Sequence, residues 1–292
     1  MALYAFDGTW NLDKPGADRD TNVRRFHDAY EGTRTYKEGV GTRLSFLGAL
    51  IGGMTGAGGR TRVDEMFTQL LDNLEAGDDT IDVVGFSRGA ALALHFVNRV
   101  ATAINPAPVV RFLGLWDTVP SFGVPNVDVN IGWDLDLPDT VQKCCHALAL
   151  DERRQTFHLH RLSATVDDAD QEGRLFEVWF RGVHSDVGGG NLNPGLSSIA
   201  LVWMFERARA YGLPIDAAAV DNARGQTIPT ALPSPAPKYD LIKNRRRSVR
   251  WNDQVHASVV FVDGANNPPH GLARVDDRGA IVGTFARPEV TR

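Results

Sequence analysis

Cysteine is nearly absent: the 292 residues hold two, Cys144 and Cys145, side by side. Adjacent cysteines can neither staple a fold nor supply the spaced ligands of a zinc site, so a disulfide framework and a cysteine-rich metal centre are excluded. Nothing in the pattern around them argues for a thiolate nucleophile, so both are expected to pack in the core, and a reducing compartment is compatible with them. Long apolar runs are missing too. No stretch approaches the roughly 18 uninterrupted apolar residues of a membrane span, and Met1 to Trp10 lacks the basic and apolar regions of a secretory signal. The expectation is a protein that is cytoplasmic as synthesised, with export left to a signal-independent secretion system. Excess charge of one sign is small: 31 Lys and Arg against 36 Asp and Glu leave −5, which gives no electrostatic case for nucleic acid. No internal repeat or low-complexity tract stands out. At 43% hydrophobic and 23% charged, the composition suits one large domain with a well-covered core over residues 1–292.

The most informative stretch is Ile81-Asp82-Val83-Val84-Gly85-Phe86-Ser87-Arg88-Gly89-Ala90-Ala91. A β-branched apolar run leads into Gly-x-Ser-x-Gly, and an alanine-rich amphipathic stretch follows, which predicts strand, sharp turn and helix. Glycines two before and two after the serine are needed where that turn crowds the neighbouring strand and helix. Ser87 then stands at a sheet edge above the first turn of a helix, where free amides and the helix dipole favour a developing negative charge. The backbone N–H of Arg88 is the first candidate donor of an oxyanion hole. A second apolar strand, Leu3 to Phe6, ends in Asp7-Gly8-Thr9-Trp10-Asn11. Ala5 occupies the place of the nucleophilic aspartate in haloacid-dehalogenase phosphatases, which removes that reading. The loop is instead expected to approach Ser87 and to offer the amide of Gly8 or Thr9 as a second donor. Asp7 supports the site from behind or merely caps a turn.

Two further strand ends carry chemistry. The run Val109 to Trp116 delivers Asp117, and Leu175 to Phe180 leads through Arg181-Gly182-Val183 to His184, with Ser185-Asp186-Val187-Gly188-Gly189-Gly190 behind it. Glycines there can fold the loop so that the imidazole returns over Ser87. Ser, Asp, His is the chain order of α/β-hydrolases, which assigns Ser87 as nucleophile, Asp117 as acid and His184 as base, with turn capping the alternative for Asp117. Asp186 is expected to bond within its loop or help place the ring. His256 is the competing histidine.

The remaining segments read more coarsely. Thr21-Asn22-Val23 opens a helix through Tyr30, Arg62 to Glu75 shows helical spacing, a helix follows the serine and stops near Asn105-Pro106, and Leu196 to Tyr211 is a strongly apolar helix. Pro138 to Phe157 is also read as a helix. Residues 32–60, with a glycine-rich run from Gly48 to Gly59 that lacks the Gly-Lys-Ser/Thr of a phosphate-cradling loop, are read as an irregular, lid-like insertion. Residues 228–292 are read as a Pro- and Arg-rich C-terminal extension, with a proline tether at Ile228 to Pro237, a basic run from Lys243 to Arg250, and a tail from Ser258 to Arg292 of short strand-like pieces with a turn at Asp276-Asp277-Arg278-Gly279. Such runs are usually solvated faces; this one could also touch the anionic surface of a membrane.

In combination these segments resemble the α/β-hydrolase family that includes the catalytic domains of type VI secretion lipase effectors. The resemblance rests on Phe6-Asp7-Gly8-Thr9-Trp10-Asn11, Thr21-Asn22-Val23, Gly39-Val40-Gly41-Thr42, Gly85-Phe86-Ser87-Arg88-Gly89-Ala90, Leu115-Trp116-Asp117-Thr118-Val119, the run Ala147-Leu148-Ala149-Leu150-Asp151-Glu152-Arg153-Arg154, and Trp179 to Gly190. It implies a mostly parallel sheet flanked by helices, a Ser-Asp-His esterase at Ser87, Asp117 and His184, and phospholipase A activity on an ester or lipid substrate; chemistry through an acyl-enzyme needs no metal or organic cofactor. Compared with those effectors the chain is expected to be compact, without a large added module for membrane attachment. The alternatives are an esterase acting on soluble or polymeric esters and a non-catalytic binding domain that keeps the hydrolase shape.

Overall fold

The computed structural model describes residues 1–8, 20–39, 56–120, 132–164, 173–191, 193–234 and 245–288. Its first elements are β1 (Ala2–Phe6), α1 (Asn22–Ala29), β2 (Thr33–Lys37), α2 (Gly56–Glu75), β3 (Ile81–Phe86), α3 (Arg88–Ala103) and β4 (Val110–Trp116). There follow β5 (Cys144–Ala149), β6 (Leu175–Phe180), α4 (His184–Gly188), α5 (Gly195–Ala210), α6 (Ala217–Gly225), β7 (Gln254–His256), β8 (Ala273–Val275) and β9 (Ile281–Thr284). Among the described residues nine strands form one sheet in the order β2-β1-β3-β4-β5-β6-β7-β8-β9. Every neighbouring pair is parallel except β8 with β9. This is the α/β-hydrolase-like, mostly parallel sheet flanked by helices that was expected.

A parallel sheet must be covered on both faces, so its strands carry apolar residues at successive positions instead of alternating ones. Leu3, Ala5, Val84, Phe86, Phe112 and Trp116 face a layer built by Val23 and Phe26 of α1 and Ile199 to Phe205 of α5. Tyr4, Phe6, Ile81, Val83, Leu113 and Leu115 face the opposite layer, made by Met66 and Leu70 of α2 and Leu94, Phe96 and Val97 of α3. Thr21 caps α1 by accepting from the Arg24 amide. Helix α5 is buried on nearly every side, which is why its sequence lacks a polar stripe.

The chain leaves β1 toward β2 on one side and then continues from β3 toward β9 on the other, so the strand order reverses between β1 and β3. At such a switch point the connections diverge to opposite faces and leave a crevice above the strands' carboxyl ends, where ligands bind in open α/β sheets. Gly8 follows β1, and Ser87 follows β3.

Three expectations need correction. Cys144–Ala149, within the stretch read as a helix, is a strand buried along its whole length and paired with β4 and β6. A short, continuously apolar run has no period that separates strand from helix. Within 32–60, Thr33–Lys37 is an edge strand on β1 and Gly56 opens α2; residues 40–55, most of the expected lid, lie outside the described residues. The C-terminal stretch is part of the sheet and not an added extension: it supplies β7, β8 and β9, with the expected strand-like pieces of the tail at β8 and β9 and the expected turn at Asp276 to Gly279 between them. Of its proline tether, 235–237 lie outside the described residues.

Candidate active site

Ser87 occupies the corner between β3 and α3 with φ 58° and ψ −125°, a backbone shape that costs a non-glycine residue of order 1–3 kcal/mol and must be held by its surroundings. The holding groups are visible. The Ser87 N–H donates to the Trp116 carbonyl at 3.0 Å, and the Ser87 carbonyl accepts from Ala90 at 3.1 Å and from Val119 at 3.2 Å. A side chain at Gly85 would come within 2.7 Å of the Ala90 backbone, and one at Gly89 would collide with the Phe6 carbonyl. The two glycines are therefore required by close packing of strand and helix. As the first helical residue, Arg88 has an amide with no carbonyl partner inside its own helix.

Asp117, directly after β4, is the other described non-glycine residue with positive φ, at 44°. It is fully buried, and its carboxylate receives four donors. Oδ1 accepts from the Ala149 amide at 2.8 Å and from Arg247 Nη1 at 2.5 Å; Oδ2 accepts from His184 Nδ1 at 2.6 Å and from Arg247 Nη2 at 3.0 Å. Burial alone would raise its pKa, but Arg247 and His184 together hold it well below the usual carboxylate range.

His184 begins α4 immediately after the turn that leaves β6. Asp186 shapes that turn: its carboxylate accepts from the Val183 amide at 3.0 Å, from Asn191 Nδ2 at 2.5 Å, and from the Ser234 amide and hydroxyl at 2.8 and 2.5 Å. Gly182 adopts φ 116°, and a Cβ there would strike Asp186. The His184 amide donates to Glu152 Oε2 at 3.2 Å. Its ring lies between Phe86, 4.6 Å away by centroid, and Phe157, edge-on at 4.9 Å. Because Nδ1–H is committed to Asp117, the neutral ring leaves Nε2 unprotonated, with no partner among the described residues. Burial lowers the His184 pKa below its ordinary value even against the pull of Asp117, so the ring is neutral at pH 7.

Asp117 and His184 are thus joined directly, and Phe86 sets the imidazole beside the residue that precedes Ser87. Among the described residues the Ser87 hydroxyl makes no hydrogen bond to the ring, whose Nδ1 is engaged by Asp117. Gly8 lies against the serine, since a Cβ there would be 3.2 Å from Ser87 Cβ. Its amide donates to Asp7 Oδ1 at 2.6 Å. Thr9 lies outside the described residues. Asp7 Oδ2 accepts from Thr21 Oγ1 at 2.6 Å and Tyr36 Oη at 2.5 Å, so this carboxylate ties the end of β1 to α1 and β2.

His256 goes elsewhere. Its Nδ1 meets Ser258 Oγ at 2.8 Å, its Nε2 meets Asp277 Oδ1 at 3.1 Å, and its ring stacks on Phe180. Cys144 and Cys145 are buried, and burial raises both thiol pKa values, which suits packing. A cleft of about 400 Å³ lined by Arg161, Glu177, Arg250 and Asp253 includes none of the site residues, and the Arg161 guanidinium there is paired with Glu177 and Asp253.

Two contributors were not singled out in the sequence. Arg247 was read as part of a basic face; Arg245, Arg246 and Arg250 are indeed exposed, but Arg247 turns inward onto Asp117, and Lys243 lies outside the described residues. Glu152 is gripped by Arg154 Nε at 2.9 Å and Nη2 at 2.7 Å. Burial would raise the Glu152 pKa, but Arg154 outweighs it and holds the group at about 2.

A strained serine at a strand-helix corner, above the switch point of a parallel sheet and beside an aspartate-bonded histidine, defines an α/β-hydrolase-like protein. The chain belongs to the family described as T6SS, phospholipase effector Tle1-like, catalytic domain, which its residues 3–102 and 96–207 match. Its fold is similar to that of an uncharacterized protein from Pseudomonas aeruginosa, with a TM-score of 0.56 and 21% identity over 77% of this chain and 48% of that one. The Tle1 effector bound to the VgrG spike of the Type 6 secretion system matches at a TM-score of 0.46 and 24% identity, over 65% and 51% of the two chains. The chain therefore spans about half the length of both. No curated protein matches it.

Proposed function

We propose that the chain hydrolyses carboxylic esters through an acyl-enzyme and that its substrates are phospholipids. Ser87 attacks the ester carbonyl, His184 Nε2 takes its proton and later returns it to the leaving alcohol, and Asp117 holds the Nδ1–H tautomer and stabilises the imidazolium. The Arg88 amide at the helix start binds the oxyanion, with a second donor from the loop at Gly8 and Thr9; Gly8 serves only if its amide leaves Asp7. One such donor is worth about 10²–10³ in turnover. The observation that carries the reading is the 2.6 Å bond from the His184 ring to a fully buried Asp117, beside a serine held at positive φ.

Family membership supports phospholipid as the substrate class and delivery by a type VI system without a signal peptide. Exposed Arg245, Arg246 and Arg250 support contact with anionic headgroups. Release of fatty acid from phospholipid vesicles, lost in Ser87→Ala, tests the reading. Hydrolysis of soluble p-nitrophenyl esters without vesicle hydrolysis would replace phospholipid by soluble or polymeric esters. The open Ser87–His184 contact is the one observation that favours a non-catalytic binding domain, and ester turnover that disappears with Ser87 rules that out.

A further inference from the structure

Arg247 stands 130 residues from Asp117 in sequence, beyond the residues 3–207 that the family match spans, yet it makes the most complete contact in the site. Nη1 donates to Asp117 Oδ1 and, at 2.8 Å, to the Ala149 carbonyl; Nη2 donates to Asp117 Oδ2 and, at 3.0 Å, to the Phe157 carbonyl. All four terminal N–H groups are used, two of them on one carboxylate. Such a fork grips both oxygens and fixes the plane of the carboxyl group, which a single ammonium cannot do. Carboxylate rotation about the Cβ–Cγ bond would carry Oδ2 away from His184 Nδ1, so the grip determines where the ring can hydrogen-bond.

The charge matters as much as the geometry. A lone buried aspartate favours the imidazolium form of its histidine partner. Among the described residues the charged groups facing His184 are Asp117 at the end of β4, Glu152 after β5 and Arg154 two residues further on, with Arg247 behind Asp117; Phe86 and Phe157 are the aromatic rings that pack on the imidazole. On its own helix, Asp186 is engaged by Val183, Asn191 and Ser234. Each of the two carboxylates that meet His184 thus carries its own arginine: Arg247 on Asp117 and Arg154 on Glu152. The four charges sum to zero next to the ring.

We infer that Arg247 is a positioning residue that locks the Asp117 carboxylate and, by offsetting its charge, keeps His184 a neutral base down to lower pH than an unaccompanied Asp–His pair would allow. The inference rests on the serine-hydrolase reading for its consequence in catalysis, but the titration of the ring can be measured without turnover. The test is the His184 imidazole titration followed by NMR, assigned by its loss in His184→Gln, in the wild-type protein and in Arg247→Gln and Arg247→Lys. Arg247→Gln, which leaves Asp117 uncompensated, raises the midpoint by about one pH unit. An unchanged or lowered midpoint in a variant with wild-type circular dichroism overturns the inference. Arg247→Lys guards against failure of the glutamine variant to fold. It keeps the charge, so its midpoint stays within about 0.3 units of wild type, while kcat on p-nitrophenyl butyrate falls about tenfold or more for want of the two-point grip. A lysine variant with wild-type kcat overturns the positioning role. Loss of hydrolysis in Ser87→Ala is scored separately, so failure of the esterase reading and failure of this inference give different results.

Discussion

The protein builds the same trio of side chains twice. At the candidate site Asp117 accepts from His184 and from Arg247; on the neighbouring strands Glu177 accepts from His146 Nδ1 at 3.0 Å and from Arg161 Nε at 2.9 Å. Both carboxylates are buried, and in both the partner groups overcome burial and hold the acid well below its usual range. The two trios differ at the far nitrogen of the imidazole. His146 Nε2 accepts from the Thr118 amide at 3.2 Å and meets the Thr118 hydroxyl at 3.0 Å, so both nitrogens are occupied and the ring is fully buried. His184 Nε2 has no partner among the described residues, and the residue keeps 5% exposure. An acid, a histidine and an arginine form a strut when the ring is saturated, and in the proposed mechanism the trio with one nitrogen left open supplies the base. The strut also serves the base, because Thr118 is the residue after Asp117.

That contrast can be broken from either side. The largest effect is expected at the open trio: Ser87→Ala and His184→Ala each lower kcat on a p-nitrophenyl ester by about 10⁴-fold or more, with far-ultraviolet circular dichroism unchanged. The closed trio should fail differently. His146→Ala empties a buried site and strips Glu177 of a partner, at a cost of about 2–4 kcal/mol, so Tm falls by several degrees while kcat per folded molecule stays within about tenfold of wild type; a collapse of kcat with unchanged Tm would erase the distinction. In pH profiles kcat/KM should hold as pH falls through 7 and decline on the acid side with a midpoint below 6.5, because burial lowers the His184 pKa and the base must be unprotonated. Asp117 stays ionised throughout, so no second acid-side step is expected above pH 4. The smallest change is expected for Glu152→Gln, which retains an acceptor for the His184 amide and loses the charge that holds Arg154, reducing kcat/KM by several-fold.

Much of this site was legible because its signals are local. Gly85 and Gly89 around Ser87 announce a corner that only glycine can flank, and Asp117 and His184 sit at the ends of apolar runs readable as strands. Of the two readings of Asp186, bonding within its loop or helping to place the ring, the loop bonds are present, to Val183 and Asn191. What escaped depends on contacts between distant segments. No local pattern distinguishes Arg247 from its exposed neighbours Arg246 and Arg250; its role exists only because the chain returns beside β5 and the Phe157 turn. Glu152 and Arg154 stand in a run that carries the family resemblance, but their place against His184 comes only with the fold. The same limit explains the elements: β5 is apolar at every position and carries no period, and β2, with the sequence Thr-Arg-Thr-Tyr-Lys, is a polar edge strand whose only strong signal is the partner it pairs with.

The claim at the centre is that an open imidazole nitrogen at residue 184 makes the hydroxyl of Ser87 reactive. Fluorophosphonate labelling with peptide mapping by mass spectrometry measures this most directly. The prediction is a single adduct on Ser87 whose formation slows at least about 10³-fold in His184→Ala and is little altered in His146→Ala. An adduct on another residue, or labelling of Ser87 at the wild-type rate without His184, would contradict it.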